Sequence, residues 1–167
     1  MGINKTALVT GSSRGIGRAI AIALAKDGYD IAVHYSRSKE DALEAADIIT
    51  DLGVKVCVLQ GDTGDPEVPG HLVREAVEKL GRLDVMVNNA GIMDDFSPIG
   101  DAADEMLEKV FMVNVYAPFY SMRKAVNIFM KQGGGNIINI ASIGGLYGAR
   151  AGAVYTASKH ALVGLTK

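Results

Sequence analysis

The sequence predicts a doubly wound α/β domain, a parallel sheet of about five strands with helices on both faces. Three observations carry this. Short apolar runs of strand length alternate with longer segments of helical period along the chain, the pattern of repeated βαβ units. Those runs are nearly uninterrupted by polar residues, as burial on both faces of a sheet requires. A glycine cluster, Gly11 to Gly17, follows the first run and opens the first helical segment. Right-handed crossovers then place helices in layers above and below the sheet. Residues 1–167 read as a single domain, without internal repeat, linker or low-complexity tract.

Thr6–Val9 is the first strand. The helix after it runs to about Lys26, with Ile16, Ile20, Ala23 and Leu24 at helical spacing, and Gly28 just past its end suits a left-handed cap. Ile31–Val33 is the second strand. Lys39–Leu52 is a helix closed by Gly53, and Val54–Leu59 is the third strand. Asp65-Pro66 can open the next helix as cap and first residue, although Pro69 then removes an early donor. Leu83–Val87 is the fourth strand, Ala102–Phe111 and Pro118–Met130 are helical, and Asn136–Ile140 is the fifth strand. From about Ala153 the chain is helical to its end.

Charge and composition exclude several function classes. The 17 basic and 19 acidic side chains leave a net charge of −2, which offers nothing for nucleic acid or an anionic membrane. No apolar run approaches the ~18 residues that span a bilayer, and the first ten residues lack the ordered regions of a signal peptide. The single cysteine, Cys57, lies in an apolar run and reads as core. The expectation is a cytoplasmic protein without a metal site. A myristoylation-like start, Met1 to Thr6, and a glycosylation-like Asn4-Lys5-Thr6 are chance-length matches, and Thr6 runs straight into a buried strand.

Thr10-Gly11-Ser12-Ser13-Arg14-Gly15-Ile16-Gly17 has the position of a phosphate loop. Glycine allows the sharp turn and close backbone approach that a pyrophosphate needs, and the helix N-terminus offers unpaired donors. The spacing differs from the common G-x-G-x-x-G fingerprint of Rossmann-type domains. That fingerprint expects a carboxylate about 20 residues on, to hold a ribose 2′-hydroxyl. Here the end of the second strand reads His34-Tyr35-Ser36-Arg37-Ser38. A carboxylate would repel a 2′-phosphate, whereas Arg14 and Arg37 would attract one through guanidinium forks. The predicted cofactor is therefore NADP(H) before NAD(H).

Further on stand Asn88-Asn89-Ala90-Gly91 after the fourth strand, Asn114 in a helical segment, Ser142 after the fifth strand, and Tyr155-Thr156-Ala157-Ser158-Lys159. Tyr155 and Lys159 are i,i+4 partners on one helix face. An ammonium there favours the phenolate form of Tyr155 and suits it to general acid–base work. Ser142 can hydrogen-bond a substrate oxygen as charge develops on it. His160 points about 100° away around the helix and reads as structural.

With T-G-x-x-x-G-x-G, N-N-A-G, the asparagine, the serine and Y-x-x-x-K all in order, the whole chain resembles the short-chain dehydrogenase/reductase family, in the branch that includes β-ketoacyl carrier-protein reductases. The resemblance implies an oxidoreductase moving hydride between NADP(H) and a small-molecule carbonyl or alcohol. Asn114, Ser142, Tyr155 and Lys159 would be catalytic, with Lys159 also holding the nicotinamide ribose and Asn114 fixing a water in a relay to Lys159. Gly11, Ser13, Arg14, Gly15, Ile16, Gly17 and Arg37 would bind cofactor. So would Asp62 and Thr63 near adenine, and Asn88, Ala90 and Gly91 beside the ribose and nicotinamide. The epimerase branch, with G-x-x-G-x-x-G, is disfavoured because position 14 is arginine.

The resemblance also implies a homo-oligomer, dimer or tetramer, and further strands and a substrate loop beyond Lys167. Against that pattern the last helix would expose Leu162, Val163 and Leu165, implying a chain that is marginal, oligomeric or aggregation-prone. A nucleotide-binding fragment or regulatory module without turnover is the alternative. Ile92–Gly100 and Ile143–Arg150 should flank the pocket with Met93, Phe96, Leu146 and Tyr147, a mildly apolar set that leaves the substrate unnamed.

Overall fold

A computed structural model describes residues 4–167. Strands β1 (Thr6–Val9), β2 (Asp30–Tyr35), β3 (Val56–Gln60), β4 (Val85–Asn88) and β5 (Asn136–Asn139) form one parallel sheet in the order β3-β2-β1-β4-β5. Helices α1 (Gly15–Lys26), α2 (Lys39–Thr50), α3 (Val68–Leu80), α4 (Asp104–Phe111), α5 (Ala117–Gln132) and α6 (Ala153–Thr166) complete it. This is the Rossmann-type α/β fold. The strand order reverses beside β1, and a crevice opens there at the strands' carboxyl ends.

The period-2 alternation of the strands divides the core into two layers. Ala7 and Val9 of β1, Ile31 and Val33 of β2, and Val85 and Val87 of β4 pack with Ala21 and Ala25 of α1 and Ala42, Ala45 and Ile49 of α2. The intervening Leu8, Ala32 and Met86 face Leu72, Val73 and Ala76 of α3 and Ala125 and Phe129 of α5. Alanines on α1 and α2 let those helices sit close to the sheet.

Several expected boundaries shift by one to three residues. Asp65-Pro66 does not open α3. Asp65 forms a turn, its carboxylate accepting from Glu67 N at 3.0 Å, and α3 begins at Val68 with Pro69 in its first turn, where no intrahelical donor is lost. The two central helices are joined by a π-helical turn, Met112–Tyr116, and Asn114 lies inside it. The expectation of double burial fails for β5: it is an edge strand, and Ile138 is 42% exposed. Leu162 is buried rather than exposed at the end of α6, while Val163 and Leu165 are half-buried. Thr6 of the glycosylation-like match is fully buried, and Gly2 of the myristoylation-like match lies outside the described residues.

The end of the sheet opposite the crevice is closed by Asp84. Its Oδ2 accepts from the buried Thr6 N–H at 2.8 Å, and both oxygens accept from Arg82 at 2.7 and 2.6 Å. Asp84→Ala strands that amide, and the expected loss is about 2–3 kcal/mol of unfolding free energy by chemical denaturation. Asp84→Asn, which keeps an acceptor, should lose less; equal stability of all three proteins would refute this role.

Candidate active site

The glycine loop takes its shape from two left-handed residues, Gly11 at φ +64° and Gly15 at φ +58°. Gly17 answers a different need. A Cβ there would lie 2.5 Å from Asn89 Nδ2 and nearer still to Gly11 O, so only glycine lets α1 start this close to the turn. Asn89 Nδ2 donates to Thr10 O and Gly11 O at 2.8 and 3.1 Å. Thr10 Oγ1 accepts from the Asn89 and Ala90 amides at 3.0 and 3.1 Å and donates to Val87 O. Thus the turn after β1 and the turn after β4 are one hydrogen-bonded unit.

A cleft of about 690 Å³ lies against it. Its walls bring together Gly11, Ser13, Arg14, Arg37, Asp62, Thr63, Ala90 and Gly91, all marked by the sequence, and add His34 and Lys109, which the sequence did not mark. Gly15 and Ile16 stand exposed at the start of α1, Ile16 being 66% exposed. Asn88 is buried and donates to Asn139 Oδ1 of β5 at 2.8 Å, so its amide ties two strands together rather than lining the cleft. The volume and the close-packed Gly11–Gly17–Asn89 cradle fit an elongated phosphate-bearing ligand. Asp62 is the one acidic wall residue, and it is exposed on the β3–α3 turn, where its Oδ1 accepts from Gly64 N at 2.9 Å.

The four residues expected to be catalytic lie beyond Gly91. A Cβ on Gly91 would sit 3.2 Å from Asn114 Oδ1 and 3.6 Å from Lys159 Nζ. Lys159 is 4% exposed, and its Nζ donates to Ile140 O at 2.9 Å and lies 5.7 Å from the centre of the Tyr155 ring. Burial lowers the pKa of this ammonium from the ordinary lysine value. Ser142 and Tyr155 both border Gly144, where a Cβ would be 3.5 Å from Ser142 Oγ and 3.6 Å from Tyr155 Cε1. Asn114 is engaged on every side. Its Oδ1 accepts from Ile92 N and its Nδ2 donates to Ile92 O, both at 2.9 Å, and also to Ser158 Oγ at 3.1 Å. His160 makes only a local contact to Thr156 O.

Sequence reasoning missed Arg18 and Asp94 as well as His34. Arg18 donates from Nε to Ser13 O at 2.9 Å and pairs with Glu44, fastening the glycine loop to α2. Asp94 was visible only as one residue of a loop flanking the pocket. It is 8% exposed, and its Oδ2 accepts from Tyr155 N at 2.9 Å. That amide is the third of α6, so the carboxylate caps the helix that carries Tyr155 and Lys159 and complements its dipole.

The fold and this cleft define a class, a Rossmann-type α/β domain in which Ser142 and Tyr155 meet around Gly144 and Lys159 lies beside Gly91 of the cleft wall. The profile described as short chain dehydrogenase matches residues 5–167. A 3-oxoacyl-[acyl-carrier-protein] reductase of Staphylococcus aureus is 39% identical over 167 residues, 100% of this chain and 68% of the relative. A 3beta-hydroxysteroid dehydrogenase of Eggerthella lenta is 40% identical over 165 residues, 98% of this chain and 63% of the relative. The crystal structure of acetoin dehydrogenase YohF from Salmonella typhimurium superposes with a TM-score of 0.94 at 36% identity, covering 98% of this chain and 65% of that one. The chain therefore spans less than two thirds of the length of these last two proteins. It belongs to the short-chain dehydrogenase/reductase family of oxidoreductases.

Gly152 leaves room for the Asp94 cap, since a Cβ there would lie 2.2 Å from Asp94 Oδ2. Asp94→Ala and Gly152→Ala should each lower stability, by roughly 1–2 kcal/mol for loss of the cap, read as a fall in Tm. An unchanged Tm in Asp94→Ala would mean that α6 does not depend on it.

Proposed function

We propose that this protein is an NADP(H)-dependent carbonyl reductase or alcohol dehydrogenase acting on a small molecule. The observation that carries the reading is the continuity of the Ser142–Tyr155–Lys159 cluster, through Gly91, with a cleft that has Arg14 and Arg37 in its walls. The bound cofactor would supply or accept the hydride exchanged with the substrate carbon. Gly11, Ser13, Arg14, Gly15, Ile16 and Gly17 would hold the phosphate end, with Arg14 and Arg37 meeting a 2′-phosphate. Asp62 and Thr63 would border adenine, and Ala90 and Gly91 would form the wall beside the ribose and nicotinamide, with Asn88 behind them holding β4 to β5. NAD(H) is the weaker candidate, because the end of β2 carries no carboxylate for a free 2′-hydroxyl.

Tyr155 would give its phenolic proton to the carbonyl oxygen during reduction and take one back during oxidation. Ser142 Oγ would donate a hydrogen bond to that oxygen as charge builds on it. Lys159, buried beside the ring, would stabilise the phenolate and hold the ribose. Asn114 would keep Ile92 and the π turn in register and support a proton relay toward Lys159. The apolar rim of Met93, Phe96, Leu146 and Tyr147, each at least 46% exposed, favours an apolar substituent on the carbonyl. Exposed Phe119, Val126 and Met130 on α5 support a homo-oligomer, dimer or tetramer, and a cytoplasmic setting is consistent with the absence of any membrane-length helix among the described residues. A binding module without turnover is less favoured, because it leaves the Ser–Tyr–Lys cluster without a purpose.

Calorimetry should show tighter binding of NADPH than NADH, with the preference shrinking in Arg37→Asp. An NADH preference in the parent chain would overturn the cofactor assignment. With NADPH and a panel of ketones and β-ketoacyl thioesters, Tyr155→Phe should reduce turnover by at least about a hundredfold, the usual scale of general acid–base catalysis, with cofactor affinity nearly unchanged. Equal loss of both would make Tyr155 structural.

A further inference from the structure

His34 is 1% exposed at the end of β2 and takes no part in the chemistry proposed above. Its ring joins three segments. Nδ1 accepts from Gly11 N at 2.9 Å, and Nε2 lies 3.0 Å from Gly61 O. Its own backbone amide donates to Ser12 Oγ at 2.9 Å, and Ser12 N donates to His34 O at 2.9 Å. An amide can only donate and a carbonyl can only accept. The two ring contacts therefore fix one neutral tautomer, with the proton on Nε2 and the lone pair of Nδ1 turned to Gly11. Gly11 is the left-handed residue at the head of the glycine loop, and Gly61 immediately precedes Asp62.

We propose that His34 is a positioning residue for the cofactor, a neutral strut that sets the Gly11 peptide and ties the glycine loop to the Gly61–Asp62 turn. Protonation of Nδ1 would set two donors face to face at Gly11 and release both segments together. The strut is built to resist this, because burial lowers the His34 pKa below its ordinary 6.5, with the Gly61 contact and the Asp62 charge opposing. The other charged side chains in the walls of the same cleft are Arg14 of the loop, Arg37 after β2 and Lys109 of α4.

The unfolded chain binds the proton more readily, so the strut's contribution is complete above about pH 6.5 and is lost as pH falls from there toward the lower folded pKa. Asparagine places Oδ1 where Nδ1 stands and does not titrate, whereas leucine fills similar space without an acceptor.

The inference about cofactor affinity rests on the cofactor assignment above, so two readouts are combined. Amide NMR of the whole chain without cofactor should show Gly11 and Asp62 moving with the His34 ring at one midpoint below 6.5 in the parent and staying still in His34→Asn. Titration with NADPH at about pH 8 should show His34→Leu weakened by roughly tenfold or more and His34→Asn within about threefold of the parent. Gly11 remaining still while His34 titrates, or His34→Leu binding NADPH like the parent, would overturn the strut. No NADPH binding by the parent would overturn the cofactor assignment instead, and the NMR titration would still decide the role of His34.

Discussion

The hydroxyl of Thr10 is the point on which the site depends. It donates once, to Val87 O, and accepts twice, from the Asn89 and Ala90 amides. That is the full capacity of a hydroxyl. Thr10 is 4% exposed, so no water competes for these bonds. They join the carboxyl ends of β1 and β4, the two strands at which the sheet reverses its winding. With the β1–β4 ladder and the Asn89 amide, that join sets the width of the crevice, since β1 carries the glycine loop and β4 carries the turn that leads to Gly91.

From this join the site extends in two directions by close packing and hydrogen bonds. On one side Gly17 brings α1 against Gly11 and Asn89, Arg18 ties Ser13 to α2, and His34 ties Gly11 to Gly61 in the turn after β3. On the other, Gly91 meets Asn114, whose amide holds Ile92 and Ser158 and so fastens the π turn to α6. Backbone groups dominate both directions. A side chain bonded to peptide groups fixes the course of the chain more tightly than one bonded to another flexible side chain.

The buried Lys159 shows how the fold sets the electrostatics. Removing an ammonium from water is costly, and the Ile140 carbonyl offsets part of that cost. The result is a cation held beside an aromatic ring with little freedom to retreat. Asp94 adds a carboxylate at the head of the same helix, with one oxygen on Tyr155 N and the other buried without a partner among the described residues. Opposite charges thus bracket Tyr155 along α6.

Much of this was legible in the sequence, because its signals are local. Uninterrupted apolar runs and period-3.6 patterns marked the five strands and the helices between them, and Gly28 and Gly53, marked as helix ends, do close helices at positive φ. The glycine loop, Asn88–Gly91, Ser142 and the Tyr155–Lys159 pair were recognisable by order and spacing. What the sequence left unread depends on residues far apart in the chain. Nothing local marks His34 as the acceptor for Gly11, 23 residues away, or Asp94 as the cap of a helix beginning 59 positions later. Nor does an apolar run reveal whether a strand will lie inside the sheet or at its edge, as Ile138 of β5 does. Short-range pattern decides which elements form, because it acts through backbone geometry and neighbouring side chains. Only the tertiary structure decides which buried polar atoms meet, because that pairing exists only once the strands have taken their order.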